Sequence, residues 1–364
     1  MTKPARAVSL GLAAALAASA LLAASPFAGA APPDWVPAAP PGLGRLAENN
    51  TSGEIAGTFV SLFAPANGSI LQNYTSEGVL FFDAISVDGY ALEEKTFIGS
   101  LVKVAGTGAT AQVHDNPSSI LKVSLDSNTT AVFHLAIGIS PSWGANGTLS
   151  LAVDRSNRTA SMWTTCGANA TILDKANNTF AVAPTIACHA FFRSHVLNPS
   201  AEALITQAAE SRKLAAEVYV GASATEGVDV STFGEADVIV THADGRVVVS
   251  VASSTNAPTS VLIRFANLAS SAAPTILVDG RPVRPADSLE DSLDATDDGA
   301  DVEYSVSAYD STGVLVVSMP SPGSHVIEIQ APAAALGEPS SPLLGAVAAL
   351  GLVAVAAFGL FRRR

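Results

Sequence analysis

The most concentrated polar feature of the sequence is a stretch of carboxylates in its C-terminal third. The acidic residues there are Asp287, Glu290, Asp291, Asp294, Asp297, Asp298, Asp301 and Glu303. Clustered carboxylates on a loop supply the oxygen ligands that Ca2+ requires, about six to eight of them. We therefore predict a solvated acidic loop here, with a calcium site at Asp294, Asp297, Asp298 and Asp301 as the alternative. No other cofactor is predicted.

The two cysteines offer a second kind of chemistry. Cys166 and Cys188 are the only cysteines in the chain, and an even pair in an exported protein predicts one disulfide. Closing a loop of this length would stabilise the fold by about 3 kcal/mol. The alternative is a zinc site that adds His189 and His195. It lacks Cys-x2-Cys spacing, and adjacent residues of a strand, such as Cys188 and His189, point to opposite faces.

Sequence motifs for catalysis are weak or missing. The chain has no Gly-x-Ser-x-Gly elbow, no His-Glu-x-x-His and no glycine-rich loop that opens a helix. Ser119 and Lys122 match Ser-x-x-Lys, but the further motifs that accompany this pair in serine acyl-transfer enzymes are absent. We predict that the protein is not an enzyme and has no catalytic residues.

Acceptor sites for N-glycosylation are unusually dense. Nine asparagines lie in Asn-x-Ser/Thr sequences: Asn49, Asn50, Asn67, Asn73, Asn128, Asn146, Asn157, Asn169 and Asn177. Such a density predicts surface glycosylation of a translocated chain. All nine lie in the N-terminal half, which predicts a sugar-coated half far from the membrane and a bare half close to it.

The two ends of the chain indicate where it resides. Lys3 and Arg6 precede an apolar run that ends in the small residues Ala28-Gly29-Ala30, as in a secretory signal peptide at residues 1–30. A second apolar run, residues 343–361, is long enough to cross a bilayer, and three arginines follow it at residues 362–364. We predict a single-pass membrane protein with an extracellular body and a cytoplasmic basic end.

The C-terminal tail resembles the sorting tails of prokaryotic, especially archaeal, surface proteins. The resemblance covers Glu338 to Arg364, an apolar segment closed by arginines, and extends to a terminal β-sandwich module. Pro339-Ser340-Ser341-Pro342 stands where archaeosortase or exosortase substrates carry a Pro-Gly-Phe or Pro-Glu-Pro triplet. The resemblance therefore implies membrane anchoring, with transfer of the chain to a lipid as the alternative.

Between the ends, short apolar runs bounded by Gly, Asn, Asp and Pro predict an all-β protein. We predict two β-sandwich modules, Ig-like or jelly-roll-like, at residues 51–197 and 219–331. One α-helix at residues 198–218 would join them, because Ser200 is a suitable N-cap and apolar residues then recur at helical spacing. Pro-rich residues 31–50 are predicted to be a linker and residues 332–342 a stalk.

Charge narrows the choice of partners. The chain has 19 basic and 32 acidic residues, a net charge of −13, which excludes a nucleic-acid partner because binding to phosphates needs a basic surface. The predicted partners are the membrane, through the C-terminal helix, and neighbouring surface proteins. We predict a membrane-anchored extracellular surface glycoprotein with a structural or adhesive role in the envelope. The alternative is a membrane-tethered hydrolase or a solute- or glycan-binding protein.

Overall fold

A computed structural model describes most of the chain between residues 32 and 330. The described residues are 32–39, 42–143, 148–154, 158–166, 171–174, 178–195, 199–221, 227–234, 236–243, 246–253, 257–266, 274–296, 301–309 and 312–330. The predicted signal peptide, stalk, transmembrane helix and basic end, at residues 1–30, 332–342, 343–361 and 362–364, lie outside these ranges.

The predicted all-β class is confirmed, and the strands fall into two modules. The strands of the first module are β1 (Ala47–Glu48), β2 (Glu54–Ala56), β3 (Val60–Phe63), β4 (Asn67–Ser76), β5 (Val79–Ile98), β6 (Leu101–Gly106), β7 (Ala109–His114), β8 (Leu121–Leu125), β9 (Ala131–Leu135), β10 (Ile139–Trp143), β11 (Leu149–Val153), β12 (Thr159–Thr164), β13 (Thr171–Asp174), β14 (Thr179–Val182) and β15 (Cys188–Ser194).

The first module is one sheet folded over its own core. Its main path runs β1-β2-β3-β4-β5-β6-β7-β8-β15-β12-β11-β10, and β9 joins β5 to β14 and β13. The 20-residue β5 pairs with β4 and β9 at one end and with β6 at the other, so it belongs to both halves. Alternation explains the layering: in β8, Leu121, Val123 and Leu125 are buried in this core, while the residues between them face outward.

The second module is a sandwich of two sheets. Its strands are β16 (Leu214–Val220), β17 (Val228–Thr232), β18 (Ala236–Ala243), β19 (Arg246–Ser253), β20 (Thr259–Ala266), β21 (Thr275–Val278), β22 (Arg281–Pro282), β23 (Arg284–Pro285), β24 (Glu303–Tyr309), β25 (Thr312–Met319) and β26 (Ser324–Gln330). The inner sheet has the order β17-β16-β20-β25-β24-β23, and the outer sheet has the order β18-β19-β26-β21-β22. Apolar residues of both sheets share one core.

The two helices of the described chain are α1 (Pro199–Glu210) and α2 (Leu289–Leu293). The predicted helix at 198–218 is wrong at its C-terminal end. The backbone N–H groups of Arg212 and Lys213 donate to the carbonyls of Ala209 and Ala208, and Arg212 has a φ of 62°. This is a Schellman motif built without glycine, so the sequence carries no recognisable stop signal.

Leu214–Val220, which the prediction placed partly in the helix, forms β16 instead. All seven of its residues are buried, because the sandwich core covers one face and the junction with the first module covers the other. A strand buried on both faces has no alternation of apolar and polar residues. Its apolar residues therefore also satisfied the helical spacing.

The predicted linker at residues 31–50 is a second correction. Val36, Leu43 and Leu46 are buried, and Ala47–Glu48 forms β1. The backbone N–H of Leu46 donates to the carbonyl of Gly99. These apolar side chains are withdrawn from water, and residues 44–48 pack on the first module instead of extending as a spacer.

A separate apolar cluster joins the modules. It combines Trp163 and Phe191 of the first module with Ile205 of α1 and Phe233 and Leu262 of the second module. Trp163 stacks on Phe191 with ring centroids 5.3 Å apart, and Phe233 meets both rings edge-on. The outward face of the first sheet and the inner sheet thus bury one another, and the polar groups described below lie within this contact.

Candidate functional site at the junction of the modules

The end of β7 and the loop that joins it to β8 are buried although most of their side chains are polar. His114, Asp115, Asn116, Ser118 and Ser119 are each at most 3% exposed. Buried polar groups need hydrogen-bond partners to offset the loss of water. Asp115 finds its partners in the turn before β3 and in Val60, whereas the side chains of His114, Asn116 and Ser118 find theirs in the second module.

Asp115 is held by three backbone donors. Its carboxylate accepts the N–H groups of Thr58 at 2.8 Å, Phe59 at 2.7 Å and Val60 at 3.0 Å. The pKa of Asp115 is raised to about 6, because burial and the negative charge of Asp229 raise it by more than these hydrogen bonds lower it. Asp115 is therefore a carboxyl group whose charge changes close to neutral pH.

Two glycines make room for this carboxylate. A Cβ atom on Gly44 would lie 1.8 Å from Oδ2 of Asp115, and one on Gly57 would lie 2.0 Å from the same oxygen. Neither distance is compatible with a side chain. The backbone N–H of Gly44 also donates to the Asp115 carbonyl, so Asp115 ties the segment before β1 to the turn before β3.

Four charged side chains form an ion cluster between the modules. Arg193 of β15 donates from Nε to Oε2 of Glu217 on β16 at 2.8 Å and also pairs with Glu202 in the first turn of α1. Arg264 of β20 donates from Nε to the other oxygen of Glu217 at 2.5 Å. Two arginines and two glutamates balance in charge, and all four are at most 2% exposed.

The electrostatics of the cluster keep both glutamates ionised. Burial alone would raise the pKa of Glu217, but Arg193 and Arg264 hold it well below the ordinary value. The pKa of Glu202 is also lowered, since the same two arginines outweigh its burial. A carboxylate held in this way neither accepts nor releases a proton near neutral pH.

Ser118 and Tyr219 connect the buried loop to the ion cluster. The Ser118 hydroxyl donates to Oε1 of Glu217 at 2.8 Å and lies 2.5 Å from the Tyr219 hydroxyl, which donates to the same carboxylate oxygen at 2.9 Å. Burial and the neighbouring Glu217 raise the pKa of Tyr219 far above its ordinary value. The Tyr219 ring also faces the Arg264 guanidinium at 5.7 Å, a cation–π contact.

A second polar link lies beside the first. Nδ1 of His114 is 2.9 Å from Oδ1 of Asp229 on β17, and Nδ2 of Asn116 donates to Oδ2 of the same residue at 2.7 Å. Burial would raise the pKa of Asp229, but His114 and Asn116 lower it below the ordinary value. Each oxygen of Asp229 thus has a partner from the first module.

The chemistry of this arrangement is that of a structural contact that holds the two modules together. Each of the nine side chains that link the modules is at most 5% exposed: His114, Asn116, Ser118, Arg193, Glu202, Glu217, Tyr219, Asp229 and Arg264. A substrate cannot reach a hydroxyl or carboxylate that is sealed from solvent. The geometry also fixes one arrangement of the modules, because any other would leave buried charges unpaired.

A Ser-His-Asp trio at the end of the outer sheet resembles a nucleophile set only at first sight. Nδ1 of His325 lies 2.8 Å from Oδ2 of Asp279, and Nε2 lies 3.4 Å from the Ser321 hydroxyl. However, Nε2 is also 2.8 Å from the Ser321 carbonyl oxygen. Because Nε2 lies closer to this carbonyl than to the hydroxyl, the ring is not positioned to accept the serine proton.

The predicted disulfide is confirmed. Cys166 and Cys188 are bonded across 22 positions, so neither thiol is left for the alternative zinc site. His195, the histidine of that alternative farthest from the cysteines in sequence, contacts the hydroxyls of Thr159 and Ser161 at 2.6 and 2.8 Å. Burial lowers its pKa to about 4.

The predicted calcium ligands are only partly described. Asp294 pairs with Lys213 at 2.6 Å, and hydrogen bonds from Lys213 and Thr296 lower its pKa. Asp301 lies 3.9 Å from Arg284. Asp297 and Asp298 lie outside the described residues, and within those residues no group of three or more His, Cys, Asp or Glu is arranged to hold a metal.

Five of the nine glycosylation acceptors are described, and four of them are exposed: Asn50, Asn67, Asn73 and Asn128. Asn49 is half-buried, and its side-chain oxygen accepts the backbone N–H groups of Thr51 and Ser52 at 2.9 and 3.2 Å. The remaining acceptors, Asn146, Asn157, Asn169 and Asn177, lie outside the described residues. Within the described ranges, no helix has the length and apolar character needed to span a bilayer.

Comparison with known proteins adds little to these structural observations. No protein-family model and no curated protein matches the chain. Among solved structures, a mutant form of a glycoside hydrolase family 81 protein from Clostridium thermocellum aligns with 80% of this chain, at 8% identity and a TM-score of 0.36. The chain spans 37% of that protein's length. A likeness at this level carries no conclusion about activity.

The sequence contains one sign of the junction that no catalytic or binding motif includes. Arg193, Glu217 and Arg264 each stand inside or beside an apolar run that forms a buried strand. A charge in such a run must have a buried partner, because an isolated buried charge is very costly. Three such charges predict an ionic cluster, although not which residues pair.

Proposed function

We propose that this protein is an exported, membrane-anchored and N-glycosylated surface protein with a structural or adhesive role in the cell envelope. The observation that carries the proposal is the sealed junction. The charged groups that converge there are used to hold two β-modules in one arrangement, as a load-transmitting element requires. A binding protein would instead present convergent polar groups in an open cleft.

Two further observations support the location. The Cys166–Cys188 disulfide is of the kind that persists in oxidising compartments outside the cytoplasm. The exposed acceptors Asn50, Asn67, Asn73 and Asn128 all lie on the first module, which is the half predicted to be far from the membrane. Sugars there would leave the second module free to pack against neighbours.

Peptide mapping by mass spectrometry of the protein extracted from membranes tests the proposal. We expect the mature chain to begin at Ala31, to retain residues 343–361, and to carry sugars on several exposed acceptors. A chain that is cytosolic and retains residues 1–30, or one whose acceptors are all bare, would contradict it.

The overlapping acceptors Asn49 and Asn50 allow a sharper prediction. We expect the sugar on Asn50 and not on Asn49, because the Asn49 side chain is already engaged in the turn between β1 and β2. Thr51→Ala removes the acceptor sequence of Asn49 alone, and Ser52→Ala removes that of Asn50 alone. Glycopeptide mapping should find the sugar retained in the first variant and lost in the second; the reverse pattern would refute the assignment.

A further inference from the structure

The strand β18 leaves one edge of the outer sheet open. It is the terminal strand of that sheet, and within the described residues only β19 pairs with it. The pairing runs over eight consecutive positions, from Ala236 to Ala243, without a bulge. The strand contains no proline, lysine or arginine. A long, regular and largely apolar edge of this kind is a template on which another strand can pair.

The other terminal strands of the described sheets are protected. Four of them are short: β1, β22 and β23 have two residues each and β13 has four. Proline interrupts three: Pro141 lies in β10, Pro282 in β22 and Pro285 in β23. The remaining strand, β17, is held against the first module through Asp229. Short length, proline and covering are the devices by which proteins prevent edge pairing. Their absence from β18 alone singles out this edge.

The open edge also leaves part of the sandwich core uncovered. Val238 and Val240 point toward the core of the second module but are only partly buried. On the opposite face of the strand, Ile239 is 64% exposed. A strand added beside β18 would cover apolar surface on both faces, which is the main driving force for association.

We propose that β18 pairs with β18 of a second copy of this chain, antiparallel, about a two-fold axis at Ile239. In this register Ile239 lies opposite its own counterpart, and Val238 lies opposite Val240 of the second copy. Cross-strand pairs of β-branched residues are the favourable unit of sheet stabilisation. The outer sheets of two molecules then form one continuous sheet with a shared core.

Self-complementarity favours a second copy over an unrelated strand. In the proposed register each of the three central apolar residues meets another apolar residue. Asp237, the only acidic residue of the strand, lies opposite Thr241 and not opposite its own counterpart, so no like charges meet. The inference does not depend on glycosylation or anchoring, and its failure would leave the proposed function standing.

Sedimentation of the full-length protein over a concentration series tests the pairing. Ile239→Lys places a charge on the edge, and we expect it to weaken dimerisation by at least about ten-fold. Val326→Lys is the matched control. Val326 lies in the same cross-strand row and on the same face, but on the central strand β26, separated from Ile239 by Ser250. This variant should change dimerisation by less than about two-fold.

A cross-linking measurement that adds no charge completes the test. The Cα atoms of opposed residues in antiparallel strands lie about 4.5–5.5 Å apart, which is within the Cα–Cα distance that a disulfide can bridge. Ile239→Cys should give a disulfide-linked dimer on mild oxidation and Val326→Cys should not; neither of the native cysteines is free to interfere. A wild type that sediments only as a monomer, a dimer that survives Ile239→Lys, or equal cross-linking of both cysteine variants would overturn the proposal.

Discussion

Glu217→Gln should lower the free energy of unfolding by about 3–5 kcal/mol, the range for removing one partner of a buried ion pair. The side chain keeps its size and one oxygen, so packing is preserved. The change removes the counter-charge that Arg193 and Arg264 share. Both guanidinium groups are at most 2% exposed, so water cannot replace it. Ser118 and Tyr219, which donate to the same carboxylate, lose their charged acceptor as well.

Urea denaturation monitored by circular dichroism measures this effect, and Glu328→Gln is the matched control. Glu328 pairs with Arg246 on the outer sheet, where the arginine side chain is 45% exposed. An exposed pair contributes less than about 1 kcal/mol, so the control should remain close to the wild type. Similar losses of unfolding free energy in Glu217→Gln and Glu328→Gln would contradict the prediction, because the buried ion cluster would then contribute no more than an exposed ion pair.

The size of this expected effect does not mean that the ion cluster is the source of stability. Replacing a whole buried ionic network by apolar residues is often neutral, whereas breaking it is not. The apolar cluster around Trp163 and Phe191 supplies the burial that favours association of the modules. The charged residues make one arrangement of the modules specific, because Arg193 can pair with both Glu202 and Glu217 in only one relative placement of the modules.

The fold class followed from local patterns, because alternation and turn residues are properties of a few consecutive positions. The disulfide was also within reach of the sequence, since two cysteines in an oxidising compartment allow a single pairing. The C-terminal end of α1 could not be predicted from the sequence. Arg212 takes the left-handed conformation that glycine usually supplies, and β16 is buried on both faces, so neither the stop nor the change of period was visible.

The contacts at the junction could not be predicted from the sequence either, for a different reason. Arg193, Glu217 and Arg264 come from strands that are distant in sequence, and their pairing depends on how two sheets face each other. The loop 114–119 posed a further difficulty, since its polar residues and proline are typical of a solvent-exposed turn. Its burial follows from the second module closing over it, which no window of the sequence encodes.

Asp115 should give the stability of the protein an unusual dependence on pH. Its folded pKa is raised from an ordinary value of 3.8 to about 6. Between these values the unfolded chain releases the Asp115 proton while the folded chain keeps it, so the contribution of Asp115 to stability falls as pH rises. The full difference corresponds to about 3 kcal/mol. Glu217 and Asp229 act in the opposite sense, because their pKa values are lowered and their contributions are lost in acid.

The slope of unfolding free energy against pH in Asp115→Asn isolates this effect from the others. We expect the wild type to lose about 3 kcal/mol relative to the variant as pH rises from about 3 to about 7. The hydrogen bonds that the amide changes shift the whole curve but not its slope. Asp126→Asn, at an exposed position after β8, is the control and should run parallel to the wild type. Parallel curves for Asp115→Asn as well would show that its carboxylate is ionised in the folded protein throughout this range, stabilised by the N–H groups of Thr58, Phe59 and Val60.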